Sequence, residues 1–465
     1  PELRDCGAGQ TIDQIHLYGT HVVWEAESAL PDASLETLSN WRDLISRAVA
    51  HSLGQRRGPV HLNVPLRDPL PASVIQSDFV VPKGFDLELF CQQAPITRAK
   101  KTPHMDGGEV LDWARRFSRG LIVAGAANPE DGDYAAAVDL LAKYLGCPIL
   151  ADALNPLRHA CSATEGVIWS YDAILRNKEY SQSLRPDAVI QLGQLPTSKV
   201  LRDWLKQANL PTLVFSPGGQ NLNPLHRHHR TLANSITDFS WPQDEEKDGD
   251  YDWRQQWLKV QDRIGDRMES RLECEISSFE GKISWLLSRH LPDEAAVFVA
   301  NSMPVRDAEY FWPATKTHRR IFSNRGANGI DGTLGTSMGV AEGVKRPTVL
   351  LTGDLSLLHD SNAFLLAKDF EGSLTILLVN NGGGGIFNHL PVARENPYFE
   401  RFWATPQTVD FGKLAAAHQV EYSLIQSWDA LVDAIKILPG RGLRLLEFRT
   451  DRAADVELRG KLLND

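Results

Sequence analysis

At 465 residues the chain is long enough for two or three domains with cores of their own. Its 42% hydrophobic and 23% charged residues are the mixture of a globular protein, not of a disordered or fibrous one. A formal net charge of -10 argues against a nucleic-acid partner, because such binding rests on Lys and Arg neutralising phosphates. The apolar run at 374–379 is far short of the ~20 residues that cross a bilayer, so no membrane span is expected. The five cysteines (Cys6, Cys91, Cys147, Cys161 and Cys274) form no CxxC pair, which fits a reducing compartment and predicts a cytoplasmic protein.

The sequence opens PELRDCGAGQ, with neither an initiator Met nor a charged-then-apolar leader. Residues 1–80 read as the carboxyl-terminal part of an α/β domain, with a helix over 39–53 and GPVHLNVP (58–65) as the only clear strand. Residues 95–240 read as a central α/β domain. GLIVAG (120–125) and PILAD (148–152) flank a helix at 134–144, and DAVIQLG (187–193) and PTLVF (211–215) flank one at 199–207. WPQDEEKDGDYDW (241–253) is polar and charge-dense and reads as a linker. Residues 255–465 form a third region. A helix with Ile283, Leu286, Leu287 and His290 on one face leads to strands AVFVA (296–300), TVLLTG (348–353), LTILLV (374–379) and RLLEFRT (444–450). The expected fold class is α/β, with three parallel-sheet domains of which the first is incomplete.

Two motifs stand at strand ends, where open parallel sheets bind ligands. Asp354 closes one strand and Asn381 the next, with a helix over 361–370 between them. Neighbouring strands lie about 5 Å apart, so a carboxylate and an amide carbonyl there reach one hard cation. Magnesium takes few protein oxygens and completes its octahedron with phosphates. A run of four glycines (382–385) lets backbone approach such a ligand, so the pair reads as a metal and diphosphate cradle. Read singly, Asp354 is a helix cap, Gly353 a strand-end turn and the glycines a flexible loop. NSMPVR (301–306) and SNRGANGIDG (323–332) also follow strands. Ser302 offers a hydroxyl and an amide to a phosphate, and Arg306 and Arg325 offer forks for carboxylates.

GDLS, VNNGGGGIFNHLP, SNRGANGIDG, NSMPVR, TSKVL and ELRDCGAGQTIDQ together resemble the thiamine-diphosphate-dependent enzymes. They resemble most the branch acting in menaquinone and phylloquinone biosynthesis, over the whole chain. The resemblance implies the thiamine-diphosphate-binding fold, with pyrimidine-binding, central and diphosphate-binding domains at 1–80, 95–240 and 255–465. It implies thiamine diphosphate with Mg²⁺ or Mn²⁺ held by Asp354, Asn381 and the Gly383 carbonyl. Ser302, Gly353, Leu355, Ser356 and Ile386 join Asn381 and Gly383 around the cofactor, and Ile330 is the apolar wedge that bends it. Lys199, Arg306 and Arg325 bind substrate carboxylates, Phe387 and Leu390 line the substrate pocket, and Gln10, Arg306, Arg325, Ile386 and Phe387 form the catalytic set. Gly9 departs from the larger residue of some relatives. The implied reaction decarboxylates 2-oxoglutarate and adds the succinyl unit to isochorismate, both dianions that suit a cationic site. The glutamate that such enzymes place against the aminopyrimidine has no counterpart in a matching motif here, since Glu2, Glu25 and Glu27 fall outside it. The expectation is a chain lacking roughly a hundred amino-terminal residues, weak in turnover, from a homodimer or homotetramer whose sites lie between subunits.

Three other readings compete. Another thiamine-dependent 2-oxoacid decarboxylase or carboligase would not need Arg306 and Arg325. A non-catalytic protein on a decayed scaffold would not need Asp354 and Asn381. A dinucleotide enzyme is disfavoured because VAGAANPE (123–130) lacks GxGxxG spacing. HRHH (226–229) reads as a solvated loop, Trp24, Trp41, Trp169 and Trp204 as packing, and His359 as a helix-start residue.

Overall fold

The computed structural model describes residues 3–464 apart from 5, 10, 33, 55–56, 68–81, 84, 93–104, 128–131, 160–165, 242–250 and 318. Gln10 and most of the segment expected as a linker therefore lie outside the described residues. The chain divides into two units, one made of residues 1–105, 216–221 and 232–238 and the other of the remainder.

In the first unit a parallel strand pair, Trp24–Glu27 with Val60–Asn63, is joined through the helix Leu35–Leu53. Ser34 starts that helix by accepting from the Thr37 amide at 3.2 Å, and Leu44 and Ala48, four apart, form its buried stripe. The Trp24–Glu27 strand corrects the expectation of a single strand. Its sequence, WEAE, carries two acids in four residues and has no apolar run, yet Glu27 is held by Arg4 and by Asn63 at 2.7 Å.

The second unit holds two parallel sheets. Five of the six strands of one run parallel in the order Val167–Ile168, Ile149–Ala151, Gly120–Ala124, Ala188–Leu192, Thr212–Phe215. The other has six strands, in the order Arg320–Phe322, Ala296–Val299, Thr348–Gly353, Ser373–Asn380, Gly442–Arg449, Glu421–Ile425. Their inner strands are apolar on both faces because helices cover both. All of Ala296–Val299 and all but the last residue of Thr348–Gly353 and Ser373–Asn380 are buried. From Ala296–Val299 the chain crosses to one side of the sheet, and from Thr348–Gly353 to the other. The crevice between these two strand ends is the topological switch point.

Three local expectations are corrected. Tyr251, Asp252 and Trp253 open the 24-residue helix Tyr251–Cys274, and Trp253 is buried with its indole N–H donating to the Gly120 carbonyl at 2.9 Å. Burying that indole outweighs the local charge density. The segment between the two motif strands is a short α-helix, Asp354–His359, followed by the 3-10 turn Ser361–Asp369, which places His359 at a helix end. HRHH is not wholly solvated: Arg227 is buried, donating to Thr212 Oγ1 and Gln191 Oε1, each at 3.2 Å. The tryptophans do pack. Trp24 stacks on His51, Trp169 is buried, and Trp204 meets Trp257 edge to face.

Candidate active site

A cavity of about 390 Å³ opens at the switch point, lined wholly by residues between Glu280 and Phe387. Four strands deliver its walls. Ala296–Val299 runs into Asn301 and Ser302, Arg320–Phe322 into Arg325 and Ile330, Thr348–Gly353 into Asp354, and Ser373–Asn380 into Asn381 and the glycines.

Asn301 ties two of these loops together. Its Nδ2 donates to the carbonyls of Asn324 at 2.8 Å and Gly329 at 2.7 Å, and its Oδ1 accepts from Arg325 at 2.7 Å. Ser302 has a φ of 72°, a conformation few side-chain-bearing residues adopt, and its carbonyl is held by Arg306 at 2.6 Å. The Ile330 carbonyl accepts from both the Ser356 hydroxyl at 3.1 Å and the Thr333 hydroxyl at 3.0 Å, which fixes this apolar residue in the wall.

Asp354 is buried and does more than cap its own helix. Oδ1 accepts from the Leu355 amide at 2.6 Å, while Oδ2 crosses to the Gly383 amide at 2.8 Å. Burial raises its pKa, and the backbone amides of Leu355 and Gly383 oppose that rise. The glycines are not a loose loop. Gly383 has a φ of 144°, and a Cβ on it would sit 2.4 Å from the Ala404 carbonyl oxygen. Asn381 donates through Nδ2 to Glu280 Oε1 at 2.7 Å, and its Oδ1 is buried without a hydrogen-bond partner.

In the cavity wall lie two further buried carboxylates, Glu280 and Asp307, with buried Asp455 and the buried cation Arg459 outside the lining. Arg459 lies 2.5 Å from Asp307 and 2.9 Å from Asp455. Burial, then the neighbouring Asp455 and Asp307, push Glu280 up to about 8. Burial likewise pushes Asp307 up to about 7 against the attraction of Arg459. Burial works against the charge on Arg459 too, but Asp307 and Asp455 outweigh it and hold the guanidinium ionised.

The cavity gathers Ser302, Arg306, Arg325, Ile330, Gly353, Asp354, Leu355, Ser356, Asn381, Gly383, Ile386 and Phe387, each singled out from sequence. It does not include Lys199, exposed at the start of the helix Lys199–Ala208, or Leu390, which is exposed. Sequence reasoning missed Asn301, Glu280, Asp307 and Arg202. Arg202 adds positive charge near Arg306 and Arg325 while donating to the Pro196 carbonyl at 2.8 Å. Its position three residues after Lys199 in TSKVLR was the only available signal.

The donor set suits a hard cation and a diphosphate. Asp354 oxygens, the orphaned Asn381 Oδ1 and the Gly383 carbonyl, which also accepts from the Gly385 amide at 2.9 Å, meet at two adjacent strand ends. Among the described residues no group of three or more His, Cys, Asp or Glu side chains could hold a metal. That excludes a zinc-type cluster among them and leaves the few-oxygen arrangement that magnesium completes with phosphate and water.

The comparisons agree on the class. Residues 90–299 match the family model described as the middle domain of thiamine pyrophosphate, and residues 305–448 match the thiamine pyrophosphate enzyme, C-terminal TPP binding domain. A solved structure of a candidate thiamin diphosphate-dependent enzyme from Mycobacterium smegmatis superposes with a TM-score of 0.56 at 17% identity. The match covers 92% of this chain and 76% of that one, which shows the shared fold. Fold and family models together define a thiamine-diphosphate-dependent enzyme.

Closer relatives carry the name 2-succinyl-5-enolpyruvyl-6-hydroxy-3-cyclohexene-1-carboxylate synthase. The protein of Gloeothece citriformis is 42% identical over 98% of this chain and 79% of its own. That of Synechococcus sp. strain JA-3-3Ab is 44% identical over 99% of this chain and 78% of its own. That of Trichodesmium erythraeum is 40% identical over 99% and 79%. The chain belongs to the 2-succinyl-5-enolpyruvyl-6-hydroxy-3-cyclohexene-1-carboxylate synthase family.

Proposed function

We propose that the cavity holds the diphosphate of thiamine diphosphate through Mg²⁺ or Mn²⁺, and that the chain serves the joining of 2-oxoglutarate to isochorismate with loss of carbon dioxide. The observation that carries the reading is the pairing of buried Asp354 with the orphaned Oδ1 of Asn381 on adjacent strand ends beside a close-packed glycine turn. Asp354, Asn381 and the Gly383 carbonyl hold the metal. Ser302, Gly353, Leu355 and Ser356 line the cofactor's path, and Ile330 and Ile386 shape its apolar wall. When bound, thiamine diphosphate supplies the electron sink for decarboxylation and the nucleophilic carbon for carboligation.

The protein's own residues bind and orient. Arg306 and Arg325 bring cations into the cavity, and their hydrogen bonds go to a carbonyl, an amide and a hydroxyl. Each therefore keeps capacity for a substrate carboxylate. Arg202 and Lys199 extend the positive field along the helix Lys199–Ala208. Phe387 contributes apolar surface within the cavity, and Leu390, exposed beyond it, is assigned to the outer part of the substrate path. Two arginines in one cavity favour dianionic substrates over the small monoanionic 2-oxoacids of other decarboxylases. Gln10 completes the catalytic set, the chain assembles as a homodimer or homotetramer with sites between subunits, and the three domains divide at 1–80, 95–240 and 255–465.

Calorimetric titration of thiamine diphosphate into the protein with Mg²⁺ tests the cradle. Binding heat is expected in the wild type, and its loss is expected both in Asp354→Ala and when EDTA replaces the metal. Equal heat in Asp354→Ala and the wild type would place the cofactor elsewhere.

A further inference from the structure

Resting on the cradle reading above, we infer that Glu280 is a positioning residue for the metal site: it selects which end of the Asn381 amide faces the cation. An asparagine amide has two ends of nearly the same shape and opposite chemistry, so only its surroundings decide which end faces which way. The acceptor that decides it here is Glu280 Oε1, which takes Asn381 Nδ2 at 2.7 Å. The same oxygen accepts from the Thr450 hydroxyl at 3.0 Å. With two donors on Oε1 it stays an acceptor whatever the proton state of Oε2. Nδ2 is thereby held toward Glu280, and Oδ1, buried and without a partner, is turned away from it. A flipped amide would set Nδ2 against a cation and leave two acceptors facing each other at Glu280.

The device is braced at every joint. The Glu280 amide donates to Asp455 Oδ1 at 3.1 Å at the start of the helix Glu280–His290. Thr450 follows the strand Gly442–Arg449, and its amide donates to the Asn380 carbonyl at 3.0 Å, so the Thr450 hydroxyl and the asparagine, the two donors to Glu280 Oε1, hang from neighbouring strands. Gly385 closes the other side, where a Cβ would meet Asn381 Nδ2 at 2.7 Å. Partners that orient a ligand in this way typically govern 10- to 100-fold in metal affinity, about the range expected here.

The test is Mn²⁺ affinity by water-proton relaxation with saturating thiamine diphosphate, on the whole 465-residue chain. Glu280→Leu is expected to bind Mn²⁺ about 10- to 100-fold more weakly, and Glu280→Gln, which keeps an acceptor oxygen, to stay near the wild type. Asn381→Asp alone removes the amide donor and sets two acid groups against each other, and should bind poorly. The transposed pair Glu280→Gln with Asn381→Asp gives the donor to residue 280 and two oxygens to residue 381, and should recover affinity. A defect confined to folding would not be rescued in that way. Wild-type affinity in Glu280→Leu, with Asp354→Ala still impaired, would overturn the positioning role and leave the cradle standing. Wild-type affinity in Asp354→Ala would overturn both. Equal losses in Glu280→Gln and Glu280→Leu would assign the effect to charge instead of orientation and so overturn the inference. Should Glu280→Leu fail to fold by circular dichroism, the transposed pair against Asn381→Asp decides, and no gain in affinity would overturn it.

Discussion

Arg306 and Arg325 are held ready for an anion, because the groups they bond are neutral: the Ser302 carbonyl, the Asn301 amide oxygen and the Thr197 hydroxyl. Burial lowers the pKa of both, so each guanidinium sits in a medium that strengthens its attraction for a carboxylate. Removing a buried charged partner typically costs about 2–5 kcal/mol of binding. Arg306→Ala and Arg325→Ala should therefore weaken 2-oxoglutarate or isochorismate at least tenfold in cofactor-loaded protein, with thiamine diphosphate affinity retained. Calorimetry with each ligand in turn separates the two effects, and unchanged substrate affinity in both variants would move the carboxylate site elsewhere. These arginines were legible in the sequence because each stands one short loop beyond an apolar strand. Glu280 was not, since its partner Asn381 lies 101 positions away and nothing local in SFEGKISWLL marks the contact.

Among elements, the terminal helix Arg452–Asn464 meets the helix Met303–Phe311 at a buried point where Arg459 lies between Asp455 and Asp307 and over the Phe311 ring. Breaking a buried ion pair from one side typically costs about 3–5 kcal/mol, because the charge left behind has no solvent. Arg459→Met should cost that much in urea unfolding at pH 8, and adding Asp307→Asn and Asp455→Asn should recover most of it. Asp307 already has its pKa raised to about 7, and removing the cation raises it further. A carboxylate raised in the fold binds more protons there than in the unfolded chain, so stability falls as pH climbs from about 4 through the folded value. The defect should accordingly shrink at pH 5, and a pH-independent defect would show that the helix contact is not electrostatic. Sequence periodicity found the helix and strand types where an apolar pattern runs unbroken, as in 348–353 and 373–380. It failed at WEAE, a strand without an apolar run whose Glu27 is held by Arg4 and Asn63, and at 251–253, where burial of Trp253 overrode the charged context.

At the scale of the whole molecule, the order of strands decides the site, and no single segment of sequence contains that order. The motifs pointed to the strand ends that line the cavity. Only the crossovers, one way after Ala296–Val299 and the other after Thr348–Gly353, bring four of those ends around one cavity. A ligand seated there touches loops from four strands of one sheet, and its binding energy therefore adds to the unfolding free energy of the unit as a whole. Binding to the native state alone adds about 2.7 kcal/mol at a hundredfold excess over the dissociation constant. The unfolding midpoint should rise by a few degrees when thiamine diphosphate and Mg²⁺ are added together, and by much less with either alone, since in the proposed cradle a metal would join the phosphates to Asp354 and Asn381. Differential scanning calorimetry across a concentration series checks this. Asp354→Ala should show no shift under the same conditions. A rise with thiamine diphosphate alone, undiminished by EDTA, would mean that the phosphates are held by backbone amides without a metal, and would remove the reason for the oxygen pair at the two strand ends.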